Sequence, residues 1–167
     1  MAVEEFVRGG GTLIASGNSS GWAIDLFRVP LIDVTREAAH REFSCPGSVL
    51  RGIPVTGHAY TAGLPDSLAL FFSRSAAWRE LTQAESKQAQ LEPLPMQTLL
   101  RYAPTRMLLS GWVNQAEAIT GKSAWVEVQY GQGRLHLFAF RPLYRAWSQA
   151  TFPLLFRAIL LPPPVQD

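Results

Sequence analysis

The chain has 167 residues, the size of one ordinary domain. Hydrophobic residues make up 47% and aromatics 11%, enough for a large core. A net charge of +2 without a basic cluster argues against nucleic acid, one cysteine excludes an internal disulfide and a cysteine-built zinc site, and no apolar run approaches the roughly 20 residues that span a bilayer.

The N-terminus carries Glu4 and Glu5 and no long apolar core, so it does not read as a signal peptide. Glu5 to Arg8 reads as the end of a helix, stopped by Gly9-Gly10-Gly11. Thr12 to Ala15 is a short apolar strand. Ser16 to Ser20 is a turn rich in helix-capping residues, and a helix with Trp22, Ile24, Leu26 and Phe27 follows. Helix, glycine turn, strand, turn, helix is the grammar of an open α/β sheet.

Leu31 to Val34 reads as a short strand and Thr35 to Glu42 as loop or one helical turn. Strand character returns at Val49 to Val55, Leu68 to Ser73, Met96 to Tyr102 and Met107 to Val113. Gly57, Gly63 and Pro65 mark turns. The Gln-rich stretch Ala76 to Leu91 reads as a surface helix or loose loop. No linker divides the chain, so 1–167 is a single α/β domain or the later part of a larger one.

The closing stretch, Trp125 to Leu161, is the most legible. Trp125, Glu127 and Gln129 alternate with Val126, Val128 and Tyr130, the period of a strand with one wetter face. Gly131-Gln132-Gly133 permits a tight reversal. Arg134 to Phe140 is apolar on both sides apart from His136, as suits a covered central strand. Phe152, Leu155, Phe156, Ile159 and Leu160 recur at helical spacing, with Pro153 in the first turn and Thr151 or Ser148 as cap.

Six segments together resemble a known family. Phe6 to Ala15 is similar to the helix-to-strand step of class I glutamine amidotransferase-like domains. Phe43 to Arg51, Leu109 to Trp112, Tyr130 to Arg134, Phe138 to Pro142 and Thr151 to Phe156 are similar to later segments of one branch. That branch is the amidotransferase-like domain at the C-terminus of bacterial M14 zinc carboxypeptidases. The resemblance implies a flavodoxin-like, mostly parallel sheet with an antiparallel C-terminal portion, its first strands lying before Met1. It implies that the peptidase domain is not in this chain, and it leaves the compartment open, since a parent enzyme of this kind could be secreted or periplasmic.

This chain departs from the family's chemistry. Amidotransferases carry a nucleophilic cysteine at the turn after this strand, where Ser16 and Gly17 stand here. The His-x-x-Glu pair of the carboxypeptidase is missing. His40, His58 and His136 stand apart, the first and second in polar, solvated loops and the third inside an apolar strand. No metal and no cofactor are expected.

Ser16 and Cys45 are the weak catalytic candidates. Ser16 needs a positioned base, and Cys45 in Cys45-Pro46-Gly47 reads as a buried bend. Asn18 and Ser19, at a helix N-terminus, are candidate binding residues, against a capped helix start as the simpler reading. Arg141, Tyr144 and Trp147 either anchor a ligand or cover the end of the sheet. The expected function is a non-catalytic accessory or assembly domain. The alternatives are a small hydrolase or amidotransferase relative, and a carbohydrate- or peptide-binding module using Trp112, Tyr144 and Trp147. The expected partners are a second copy, through an open sheet edge, or a peptidase domain, with neither nucleic acid nor membrane.

Overall fold

The computed structural model describes residues 2–39 and 42–161. Helix α1 (Ala2–Arg8) leads through the glycine turn into β1 (Thr12–Ser16), and α2 (Asn18–Leu26) follows at once. Next come β2 (Leu31–Asp33), α3 (Val34–Ala39), β3 (Ser48–Pro54) and β4 (Leu68–Phe72). The Gln-rich stretch then divides into β5 (Trp78–Glu80) and α4 (Gln83–Gln88). Strands β6 (Met96–Tyr102), β7 (Leu108–Ser110), β8 (Ser123–Tyr130) and β9 (Gly133–Phe138) precede the last helix, α5 (Phe152–Leu160).

Among the described residues the strands form one nine-stranded sheet whose main path runs β1-β9-β8-β6-β3-β4. Strand β1 pairs parallel with β9. Every other pairing is antiparallel. The mostly parallel sheet expected from the sequence is therefore corrected to a mostly antiparallel one within α/β. The reason lies in the connections. Tyr130 pairs with Gly133 across a two-residue turn, so β8 and β9 can only run antiparallel. No helix joins β3 to β4 or β6 to β7, and parallel neighbours need a long crossover.

Two apolar layers flank the sheet. On one face Trp125, Phe138, Leu50, Leu70 and Leu99 pack with Leu154 and Ala158 of α5. On the other, Val126, Val128, Leu135 and Leu137 pack with Val7 of α1, with Ala23 of α2 and with Phe27 just after it. The alternation along β8 and β9 sends successive side chains into opposite layers. Trp125 and Phe138, paired in register, stack at 4.8 Å in the centre of the first layer.

Three local expectations are revised. The face of β8 read as wetter is buried at Trp125 and Glu127, because the loop over residues 55–66 lies on it. The Gln-rich stretch holds a surface helix, α4, which is one of the two readings of its sequence, and adds a strand, β5, that neither reading includes. Its helix starts with a capping box between Thr82 and Glu85, and Arg79 holds Glu85 through two contacts of 2.8 and 2.9 Å. The Arg79 guanidinium, helped by Thr82, lowers the Glu85 pKa to about 2. The run Met107 to Val113 forms a strand only over Leu108–Ser110.

Helix α1 lies so close to the start of β9 that Gly133 has no room for a side chain. A Cβ there would sit 2.0 Å from the Val7 carbonyl oxygen and 2.2 Å from that of Gly11. Gly133→Ala is expected to cost about 3 kcal/mol, since backbone must move to admit the methyl group. Urea unfolding followed by circular dichroism measures it, and a loss within a few tenths of a kcal/mol would contradict this packing.

Candidate functional site

The first candidate is the turn from β1 into α2. Gly17 has φ 56° and ψ −127°, a conformation open to glycine and strained for any other residue. Its N–H donates to the Phe138 and Phe140 carbonyls at 2.9 and 3.2 Å, which pins the turn to the end of β9. Such a sharp strand-to-helix turn is the backbone form of a nucleophile elbow. The residue at its apex has no side chain. A Cβ there would lie 3.2 Å from Cγ of Arg141, so the arginine stem fills the space above the elbow.

The neighbouring serines are used structurally. Ser19 Oγ donates to the Ser16 carbonyl at 2.9 Å and accepts from the Ser16 N–H at 3.1 Å. Ser20 Oγ donates to the Phe138 carbonyl at 2.8 Å. The helix start is thus capped by Gly17 without a side-chain bond, although the turn is rich in residues able to cap it. Among the described residues no histidine or carboxylate bonds to Ser16 Oγ, and Asn18 is exposed.

Beside the elbow lies a cavity of about 520 Å³, lined among others by Gly17, Asn18, Gly21, Asp33, Arg36 and Arg74. Its size suits a small molecule. The Asp33 carboxylate is committed already. One oxygen accepts from Thr35 N–H at 3.0 Å, Thr35 O–H at 2.7 Å and Ala77 N–H at 3.3 Å, and the other lies 3.6 Å from Arg36. The cavity lining has mixed charge, with acidic Asp25, Asp33 and Glu37 beside basic Arg36 and Arg74.

A second polar group was not visible in the sequence. Glu127 on β8, Arg134 and His136 on β9 and His58 from the loop converge on one face of the sheet. Glu127 and His136 are cross-strand partners. The Glu127 carboxylate is ion-paired with Arg134 and lies 3.3 Å from His58 Nε2. His58 Nδ1 accepts the Tyr60 N–H at 3.3 Å. Both ring nitrogens of His58 are therefore engaged, which leaves none for general-base work. The expectation that His58 is solvated is corrected, since its side chain is only 10% exposed. Arg157 of α5 donates to the Tyr60 and Ala62 carbonyls at 3.1 and 2.7 Å, so ion pair and helix together clamp the loop onto the sheet.

His136 is fully buried against Tyr60, whose ring centroid is 4.6 Å away. Neither ring nitrogen has a hydrogen-bond partner among the described residues. The core position agrees with the sequence reading, and the expected satisfied ring does not. Burial drives its pKa down to about 3, with Arg134 and then His58 as smaller causes. No cue in the sequence brings these four residues together, because strand register places three of them and a loop places the fourth.

The remaining candidates separate. Tyr144 stacks on Phe71 at 5.1 Å, and the Arg141 and Arg145 guanidinium groups lie 4.1 and 5.6 Å from its ring centre. Trp147 leans on Phe71 at 4.9 Å and remains exposed. Arg141 donates to the Ser73 carbonyl at 3.1 Å, and Ser148 Oγ donates to that of Ala69. This segment covers the β4 edge. Cys45 is buried, and burial raises its thiol pKa despite contacts with Ser48. His40 lies outside the described residues. Among those described, no three His, Cys, Asp or Glu side chains gather as a metal site.

No family model and no curated protein matches the chain. Among solved structures, a cytoplasmic protein from Salmonella typhimurium LT2 is similar, with 11% identity and a TM-score of 0.53. The match covers 96% of this chain and 59% of that one, so the chain spans about three fifths of that protein's length. The likeness concerns the fold alone. A β-galactosidase from Bacillus circulans sp. alkalophilus is similar at 13% identity and a TM-score of 0.48, over 93% of this chain and 19% of that one.

Buried His136 gives the fold a pH dependence. In the unfolded chain a histidine titrates near 6.5, and in the fold at about 3. Between these values the unfolded state holds the extra proton. The contribution is complete above about pH 6.5 and declines as pH falls toward 3, by roughly 5 kcal/mol in all. His136→Phe is expected to flatten this decline and to match the wild type at about pH 7. Urea midpoints at about pH 7 and about pH 4 test it; equal acid losses in both proteins would refute the assignment.

Proposed function

We propose that this chain is a non-catalytic accessory domain related to the amidotransferase-like domains that accompany bacterial M14 zinc carboxypeptidases. Its role is assembly, or shaping access to a neighbouring active site. The observation that carries this reading is the elbow. The strand, the sharp turn and the helix of an elbow are present, while the apex is a glycine and the Arg141 stem takes the space a nucleophile would need. The sequence resemblance over the same strand and over the closing unit supports it, as does the parallel β1–β9 pair beside the elbow.

The hydrolase alternative fares less well. Among the described residues no base bonds to Ser16, and the Cys45 thiol is pushed away from the reactive thiolate. The binding-module alternative keeps exposed Trp112 and Trp147, but the Tyr144 ring is already stacked.

The purified chain is expected to hydrolyse neither glutamine nor C-terminal peptide bonds, and folded Cys45 is expected to label more slowly than a free thiol. Continuous amidase and carboxypeptidase assays, with and without chelator, check the first. Chelator-sensitive peptide hydrolysis, or glutamine hydrolysis lost in Ser16→Ala or Cys45→Ala, would overturn the proposal.

A further inference from the structure

The two ends of the sheet are treated differently. The β4 edge is closed by the segment over residues 141–151, through Arg141 on Ser73 and Ser148 on Ala69. Strand β1 pairs only with β9 among the described residues, so its other side is a free edge. That edge reads Thr-Leu-Ile-Ala-Ser and carries no charge, no proline and no register shift. Charge, proline and bulge are common devices that blunt exposed edges, and β1 has none of these three. The Ser19 hydroxyl takes the backbone N–H and carbonyl of Ser16, so the open part of the edge is its start, at Thr12 and Ile14.

On both faces, the helices at this end of the sheet carry exposed apolar side chains. On one face Phe6 lies over Gly11, at the entrance to β1. At 100° per residue, Trp22 lies on the flank of α2 opposite Gly21, which faces the cavity. Over the other face α5 packs on β1, and Arg157 reaches the loop toward the sheet's middle. The same helical spacing puts Ile159 on the opposite flank, toward the edge, with Phe156 beside it. Phe6, Trp22, Phe156 and Ile159 are 59, 48, 49 and 57% exposed.

We infer that this edge is a self-association surface and that its occupant is a second copy of this chain, paired antiparallel through β1. The inference deepens the assembly reading above, on which it rests, by naming the partner. A twofold axis perpendicular to the sheet returns each face to itself. Helix α5 then meets its copy over one face, and α1 with α2 meet theirs over the other. An uncharged edge brings no like-charge repulsion to its own copy. The four side chains expose roughly 400 Å² per copy, taking ~200 Å² for each large side chain. A stable pair buries about 800 Å² on each partner. The side chains supply about half of that, and the paired backbone with its rim supplies the rest.

Sedimentation equilibrium of the full chain across a concentration series tests the pairing. The expected result is a reversible dimer whose dissociation constant rises at least ~10-fold in Phe6→Asp and in Ile159→Asp, and is unchanged in Trp147→Ser. Hydrogen exchange of residues 12–16 in the wild type should slow as concentration rises. A wild type that stays monomeric to about 100 μM, well above the weak end of specific pairing, overturns the inference. So does a dimer that survives both edge variants, or edge amides indifferent to concentration. None of these outcomes bears on hydrolysis, so failure here is separable from failure of the accessory-domain reading.

Discussion

The fold depends on one hairpin. Strands β8 and β9 pair over six consecutive positions, from Trp125 with Phe138 to Tyr130 with Gly133. Everything else attaches to it. Strand β1 docks on the outer side of β9, and β6 docks on the outer side of β8. Helix α1 reaches the hairpin's turn, where Arg8 donates to the Tyr130 hydroxyl at 2.8 Å. The stacked Trp125 and Phe138 centre one layer, and Val126, Val128, Leu135 and Leu137 form the floor of the other. With both faces covered, the hairpin carries almost no surface, which is why its sequence is so apolar.

Burial on both faces also explains the polar residues that remain. Glu127 and Arg134 are stabilised because each neutralises the other in a place with little water, and His58 completes the carboxylate's shell. Their geometry resembles catalytic apparatus in composition and differs from it in availability. A histidine with both nitrogens engaged orients a loop. The elbow shows the converse. Its backbone has the shape that chemistry needs, and its side chains lack the atoms. The elbow's shape and the Glu127, Arg134 and His58 group are found at different places in this molecule, and this separation supports the proposed non-catalytic role.

Much of the element order was readable from local pattern. The glycine stop after Arg8, the strand at Thr12, the Gly131-Gln132 turn and the amphipathic Phe152 helix were all legible, because each depends on nearest neighbours. The direction of the sheet was not. Parallel or antiparallel pairing is decided by which strands meet, and the neighbours β3–β4 and β8–β9 are joined without a helix. The wetter face assigned to β8 failed for a related reason. Glu127 and Gln129 are polar in sequence, but only the tertiary position of the loop over residues 55–66 reveals that it lies over Glu127 and that Arg134 reaches the same carboxylate. The helix start at Asn18 was legible as a capped turn and not at the level of atoms. Three serines nearby are able to cap it, while two of their hydroxyls turn back to strand carbonyls and the glycine alone shapes the turn.

The parallel pairing of β1 with β9 has a consequence for how the chain is made. Contacts at this junction join residues far apart in sequence; 122 positions separate Arg8 from Tyr130. Topologies dominated by such pairings fold slowly, because loop closure precedes any reward. At synthesis rates of about 5–20 residues per second, β1 leaves the ribosome several seconds before β9. For that interval an apolar, uncharged strand has neither of its edges occupied. The segment that later seats the elbow is therefore the one that nascent-chain binding factors would meet longest, and the last-made hairpin is what relieves them of it.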